Sequence, residues 1–281
     1  MDTLLKTYFP IIRTREEVLN LIGEKEKLTN LFESWSEEQQ EEFLDFCTGV
    51  KILYDSFFKE IFNPEYHAER LEELLSLLLE TKIRIKQILP NDSVRLADEY
   101  TLLITDIVIE TEDGRIANLE IQKIGYAFPG QRTACYSADL LLRQYKRVKD
   151  RKRSENKKFN YRDLKKVYTI VLFEKSTREF HEIPDKYLHY GEHIYDTGLK
   201  LETLQKSVLV ALDIFRKNIE NRSIENKLEA WLFLLSSDEP ERIMELLEKY
   251  PEFREIYEEV YQMCRNVEGI MSLFSKELEE M

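Results

Sequence analysis

Three polar side chains, those of Asp106, Glu120 and Gln122, have the types and spacing of a site for a divalent cation. Carboxylate oxygens are ligands that Mg²⁺ takes in proteins, together with water and substrate phosphate. Like charges directly opposite each other destabilise a sheet, so a fold that keeps two facing acids is expected to use them. The alternative is that these acids belong to a solvated face, since acidic residues are abundant in this chain.

A β-hairpin is the element that would position them. Two apolar runs, 102–110 and 115–122, flank Glu112-Asp113-Gly114, and Asp-Gly between such runs is typical of a hairpin turn. With the turn centred on Asp113, Asp106 is expected opposite Glu120, with their Cβ atoms about 4.5–5.5 Å apart. Gln122 shares that face because side chains alternate along a strand.

Composition limits the class of protein. The chain has 281 residues, of which 43% are hydrophobic, and few are glycine or proline, which favours a folded core over disorder. No apolar run reaches the roughly 18 residues that a membrane span needs, and no signal peptide is evident. Cys47, Cys135 and Cys264 lie far apart and match no zinc spacing. We therefore expect reduced thiols, a cytoplasmic location and no membrane association.

Charge is distributed unevenly along the chain. The net charge of −13 argues by itself against nonspecific binding to nucleic acid. Residues 143–166, however, contain twelve Lys or Arg and three acids, a local charge of +9 that leaves −22 for the rest. This segment is either a site for phosphate or a solvated helix end and loop.

Periodicity predicts the remaining elements. Residues 1–50 are amphipathic and helical, two helices are expected over 51–62 and 65–81, and an extended piece over 83–89. A helix over 131–148, with Ala134, Ala138, Leu141 and Leu142 on its inner side, leads to a basic extension or loop that reaches Asn160. The apolar run 167–173 predicts a buried central strand, which makes the helix the crossover of a β-α-β unit. Residues 207–215 fit a strand or a buried helix, and helices follow over 225–236, 239–250 and 252–278.

Four motifs in this order resemble those of the PD-(D/E)XK nuclease family transposases, the recombination-promoting nuclease group. The segment Tyr54–Phe62 is similar to that family's Asp-x-x-Phe-Lys-x-x-Phe helix, and Thr105-Asp106-Ile107 to its Asp-Ile strand. Asn118-Leu119-Glu120-Ile121-Gln122 is similar to its Asn-Ile-Glu-x-Gln strand. Its following Arg-x-x-x-Tyr…Gln helix matches Arg132, Tyr136 and Gln144.

The resemblance implies an α/β fold: a restriction-endonuclease-like mixed β-sheet core flanked by helices, with helical N- and C-terminal extensions. We expect an extension at 1–50, a nuclease-like core at 51–215 and a helical region at 216–281. The implied activity is hydrolysis of DNA with Mg²⁺ or Mn²⁺, which Asp106, Glu120 and the carbonyl of Ile121 would hold. Gln122 stands where the broader superfamily has lysine, so an uncharged amide would position the attacking water.

Other residues are assigned to the site or to DNA. Asp55 is expected to reach the site and Lys59 to lie near phosphate, with helix capping and a surface ion pair as the alternative. The residues expected to contact double-stranded DNA are Arg132, Gln144, Lys149, Arg151, Lys152 and Arg153. Tyr136 is either a further DNA contact or part of the core. Association into a homodimer is left open.

Three functions fit the sequence. The first is a metal-dependent DNA endonuclease of mobile-element, recombination or defence origin. The second is a catalytically weak protein of the same fold that binds DNA or a protein partner, which the net charge and Gln122 favour. The third is an interaction scaffold built on the acidic C-terminal helices.

Overall fold

The structure is a computed structural model that describes residues 13–47, 52–53, 55–89, 107–124, 129–237, 239–263 and 265–280. Its first helices and strands, in chain order, are α1 Arg15–Gly23, α2 Glu26–Glu33, α3 Glu37–Cys47, α4 Asp55–Ile61, α5 Ala68–Leu78, β1 Ile85–Ile88, β2 Ile107–Thr111, β3 Ile116–Ile124 and α6 Pro129–Ser154. The later ones are β4 Val167–Lys175, α7 Arg178–His181, β5 Leu188–Gly191, β6 Gln205–Ala211, α8 Leu212–Ile219, α9 Lys227–Ser236, α10 Pro240–Lys249, α11 Phe253–Met263 and α12 Val267–Glu280.

These elements form two compact units. The helical unit contains the described residues up to Ile61 and those from Ile224 on. Its first helices and its last helix share an aromatic core, in which Phe274 of α12 lies 5.0 Å from Trp35 and 5.4 Å from Phe43 between ring centroids. The sheet unit spans Phe62–Ser223. The expected division at residues 50 and 215 stays a prediction.

The sheet is mixed, as the sequence predicts. Six strands lie in the order β1-β2-β3-β4-β6-β5. β3, β4 and β6 are parallel to one another, while β1, β2 and β5 pair antiparallel with their neighbours. The apolar run at 167–173 forms the interior strand β4, so that prediction is confirmed. The result is a restriction-endonuclease-like α/β fold with helices flanking the sheet.

The β2–β3 hairpin turns where Asp-Gly predicts. The amide of Gly114 donates to the carbonyl of Thr111 at 2.9 Å, and Gly114 has a φ of 84°, a conformation open to glycine. Asp113 accepts from the Thr111 hydroxyl at 2.6 Å and pairs with Arg115 at 2.8 Å. Burial alone would raise the pKa of Asp113, but these hydrogen bonds outweigh it and lower the pKa to about 2.

Helix α6 is the crossover between the parallel strands β3 and β4, as predicted, but its orientation about its axis differs from the prediction. Ala134, Ala138 and Leu142 are exposed, and Leu141 is only partly buried. The buried residues of the helix are instead Thr133, Tyr136, Ser137, Asp139, Leu140, Arg143, Gln144 and Val148. The prediction ranked positions by hydrophobicity, whereas these polar side chains are buried with partners: Ser137 accepts from Gln205 at 3.1 Å, and Asp139 pairs with Arg143 of the same helix at 2.7 Å.

Three further predictions need correction. The densest part of the basic segment is helical, because α6 continues to Ser154. The prediction lacks strand β5. This strand has only four residues, too few and too polar to show the alternation of apolar and polar side chains that indicates a strand. Residues 252–278 form two helices, α11 and α12, and not one. The stretch 207–215 contains both structures expected as alternatives, since β6 passes directly into α8 at Ala211.

Candidate active site

Glu120 lies in the interior of the sheet unit. It is the fifth residue of β3 and only 4% exposed. Asn118, two residues earlier on the same face of the strand, donates from Nδ2 to Oε1 of Glu120 at 2.7 Å. A buried carboxylate requires such a donor, because a buried acceptor left without one destabilises the fold by about 1–3 kcal/mol or more.

Three unpartnered oxygen atoms lie on the same face of the sheet as this carboxylate. Within the described residues, Oδ1 of Asn118 and Oε1 of Gln122 are buried and have no hydrogen-bond partner. The same holds for Oγ1 of Thr169, which is paired with Asn118 in the β3–β4 register. Buried polar atoms in folded proteins nearly always have partners, so these three oxygens are available to a ligand.

The hairpin has the register on which the facing-acid prediction depends. Ile107 is opposite Leu119, and Val108 is opposite Asn118. Asp106 itself lies outside the described residues, so its position opposite Glu120 stays a prediction. Among the described residues, no three His, Cys, Asp or Glu come together as a metal site.

The chemistry of the donors present fits a hard cation. A carboxylate, two amide oxygens and a hydroxyl are all oxygen ligands, which Mg²⁺ and Mn²⁺ prefer over nitrogen and sulfur. The unpartnered Oε1 of Gln122, on a side chain only 5% exposed, points to the same conclusion. Ile121 lies between Glu120 and Gln122 on β3, and the role of its carbonyl stays a prediction.

Two of the predicted site residues belong to the other unit. Asp55 begins helix α4 and Lys59 lies in its last turn, within the helical unit. Glu120 and Gln122 belong to the sheet unit. A contribution of helix α4 to the site therefore stays a prediction.

The predicted DNA contacts on α6 differ in their surroundings. Arg132 is half-buried and donates from Nε to the hydroxyl of Tyr136 at 2.8 Å. Tyr136 is 1% exposed, which favours the core alternative for that residue. Gln144 is also buried, and its amide joins two backbone segments: Nε2 donates to Gly114 at 3.2 Å and Oε1 accepts from Lys165 at 2.8 Å. This geometry favours a structural role for Gln144.

The basic end of α6 is solvent-facing. Lys149, Arg151 and Arg153 are exposed, and Lys152 is half-buried, with Nζ 3.0 Å from Asp163. Arg151 is 3.9 Å from Glu110. Lys149 donates to the hydroxyl of Tyr145 at 3.3 Å.

Glu110 is a buried acid that sequence reasoning missed. It is 7% exposed and contacts Lys86 and Arg147, each at 3.1 Å, and Gln87 at 2.6 Å. Burial alone would raise the pKa of Glu110, but the hydrogen bonds from Lys86 and Gln87 and the charge of Arg147 lower it below its ordinary value. The signal was its alternation with Val108 on β2, which places Glu110 and Val108 on the face of the hairpin that also carries Asn118.

The mixed sheet, the crossover helix and the buried carboxylate on β3 together define an α/β protein of the nuclease type. A comparison with protein-family models agrees, because the model of the PD-(D/E)XK nuclease family transposases matches residues 52–278. The chain belongs to this family, as its motifs predict. Comparisons with curated proteins and with solved structures found no match.

None of the helices in the described ranges combines the length and the apolar character required to span a bilayer.

Proposed function

We propose that this protein is a metal-dependent DNA endonuclease, which hydrolyses phosphodiester bonds with Mg²⁺ or Mn²⁺ at Asp106 and Glu120. The observation that carries the proposal is the buried Glu120 carboxylate between the unpartnered oxygens of Asn118 and Gln122. The family match supports nuclease chemistry. A role in transposition, recombination or defence is part of the proposal.

Each residue has a distinct part in this mechanism. Asp106 and Glu120 would hold the cation, which when bound supplies Lewis-acid activation of water and neutralises charge on phosphate. Asn118 fixes Oε1 of Glu120 through its 2.7 Å hydrogen bond, which orients the carboxylate before any ligand arrives. Gln122 would orient the attacking water through Oε1. Its amide does not titrate, so the proton of that water must pass to solvent or to phosphate.

The basic end of α6 would hold DNA away from the cleaved bond. Glu110, which contacts Arg147 and Arg151, is paired with Ile116, four residues before Glu120 on β3. Four strand residues span about 13 Å. Arg151 and its neighbours Lys149, Lys152 and Arg153 would therefore contact phosphates outside the immediate site of cleavage.

The experiment is plasmid nicking by the full chain with Mg²⁺ or Mn²⁺. Wild type should cleave, while Asp106→Asn and Glu120→Gln, which conserve side-chain volume, should not. Glu112→Gln removes an exposed acid from the same hairpin and should cleave like wild type. Cleavage by either site variant at the wild-type rate would disprove the site.

The runner-up is a nuclease-fold protein that binds DNA without cutting it. One observation favours it: Gln122 offers no positive charge where the broader superfamily has lysine. Binding of duplex DNA without nicking in the presence of any metal would select this function.

A cytoplasmic location and a homodimer are also proposed. The exposed free thiol of Cys135 supports a reducing compartment, and size-exclusion chromatography with light scattering would measure self-association.

A further inference from the structure

We propose that three aromatic side chains at the end of α6 form a surface that binds the bases of single-stranded DNA. They are Tyr145, Phe159 and Tyr161, here called the aromatic platform. The inference rests on the proposed function only in taking DNA as the partner, and it extends that function from duplex DNA to unpaired strands.

The rings of the platform support one another. Tyr145 and Tyr161 are stacked, with 6.3 Å between centroids and 21° between planes. Phe159 meets both rings edge-on, at 5.2 Å from Tyr145 and 5.3 Å from Tyr161. These contacts fix the segment after α6 onto the last turns of that helix.

Tyr161 nevertheless remains 74% exposed. The backbone that carries it is well held: Asn160 accepts from the amide of Arg162 at 2.9 Å, and Asp163 accepts from the amide of Asn160 at 2.9 Å. Asp163 also pairs with Lys152 of α6 at 3.0 Å. An aromatic ring that is held in a defined position but left in solvent contributes little to folding, because its apolar surface is not buried. Base stacking requires an accessible ring of this kind.

One cation lies on the platform, and others are close to its residues along the chain. Nζ of Lys149 lies 5.3 Å from the centroid of the Tyr145 ring. Four further cations are exposed and make no ion pair with another described residue: Lys146, Arg153, Lys158 and Arg162. Positive charge beside stacked aromatic rings is the usual composition of surfaces that bind single strands, where cations follow the phosphates and rings receive the bases.

Tyr161 also lines a groove, which gives a strand a path to follow. The groove has a volume of 940 Å³, and its basic residues are Arg115, Arg162, Lys165 and Lys166. Two acids also line it, Asp113, which pairs with Arg115 at 2.8 Å, and Glu202, which lies 3.7 Å from Lys166, so Arg162 and Lys165 supply its net positive charge. A second tyrosine, Tyr168, lines it, with the guanidinium of Arg115 6.0 Å from its ring centroid. The groove therefore repeats the combination of ring and cation found on the platform.

Single-stranded DNA fits this surface better than duplex DNA does. In a duplex the faces of the bases are covered by their neighbours, and only unpaired bases can stack on a side chain.

The test measures binding by fluorescence anisotropy, with EDTA present so that no strand is cut. The full chain is titrated into a labelled oligothymidylate of about twelve nucleotides and into a duplex of equal charge. Tyr161→Leu should weaken single-strand binding about 5- to 100-fold, the loss expected for one stacked base, and duplex binding by about twofold at most. Tyr161→Trp should retain single-strand binding. Tyr66, 70% exposed and outside the platform, provides the matched control, and Tyr66→Leu should bind like wild type.

Several results would overturn the proposal. These are a wild type that does not bind the oligothymidylate, a Tyr161→Leu variant that binds it as tightly as wild type, or an equal loss on single and double strands. An equal loss in Tyr66→Leu would also overturn it. None of these results bears on plasmid nicking, so the failure of the platform and the failure of the proposed nuclease are separate outcomes.

Discussion

Nδ2 of Asn118 lies 2.7 Å from Oε1 of Glu120, and both side chains are buried on one face of β3. This hydrogen bond satisfies one carboxylate oxygen from within the same strand. The side-chain oxygen of Asn118, Oδ1, has no partner within the described residues. The pair therefore forms a preorganised set of oxygen ligands at the centre of the candidate site.

Removing the donor of this pair should destabilise the fold. Asn118→Leu conserves volume but takes a hydrogen bond from a buried carboxylate, and we expect a loss of about 1–3 kcal/mol in the free energy of unfolding. The double variant Asn118→Leu/Glu120→Leu should recover most of that loss, because neither polar partner remains. Urea unfolding of wild type, Asn118→Leu, Glu120→Leu and the double variant measures the coupling, and additive losses would show that the two side chains do not interact.

Metal should stabilise the folded protein through Glu120. A ligand that binds only the folded state at ten times its Kd adds about 1.4 kcal/mol, which corresponds to a few degrees in Tm. Millimolar Mg²⁺ or Mn²⁺ should raise the Tm of wild type and of Glu112→Gln, and not that of Glu120→Gln. A metal response that survives in Glu120→Gln would place the ion elsewhere.

Gln122 should show a trade between stability and activity. Its buried Oε1 has no partner within the described residues, so Gln122→Met removes an unsatisfied polar atom while keeping the length of the side chain. We expect the free energy of unfolding of Gln122→Met to exceed that of wild type by about 1 kcal/mol or more, and we expect the variant to lose plasmid nicking. A Met variant that is less stable than wild type would show that the amide contributes to the fold.

The basic end of α6 should determine the salt dependence of duplex binding. Lys149 and Arg153 make no ion pair with an acid among the described residues, so Lys149→Gln and Arg153→Gln leave the fold intact. Each should reduce the magnitude of the slope of log K against log salt by about 0.9 per lost phosphate contact. Lys186→Gln, at an exposed position just before the edge strand β5, is the control, and slopes that match wild type in both test variants would show that the segment is only solvated.

The turn of the hairpin should lose stability in acid. Because the folded pKa of Asp113 is lowered to about 2, its contribution is complete above the ordinary value near 4 and decreases as the pH falls toward 2. The Tm difference between wild type and Asp113→Asn should therefore be largest above about pH 5 and shrink at pH 3. A difference that stays constant over this range would contradict the ion pair with Arg115.

The hairpin could be predicted because its signals are local. Asp113-Gly114 supports one tight turn, and alternation on the flanking strands sets which side chains share a face. The register that pairs Ile107 with Leu119 follows from those two facts. The continuous apolar run of β4 was equally direct, since a strand with a neighbour on either side has few polar positions.

The sequence by itself therefore determined the hairpin, the central strand, the crossover helix and the candidate ligand Glu120, all of which are indicated by residue patterns within a single segment. Only the tertiary structure decided which side of α6 is buried, that Gln144 joins Gly114 to Lys165, and that Glu110 is enclosed by Lys86 and Arg147. It alone brought Tyr161 onto Tyr145. The physical reason is that a polar side chain is buried when a partner from a distant segment satisfies it, and no pattern of hydrophobicity within one segment records that partner.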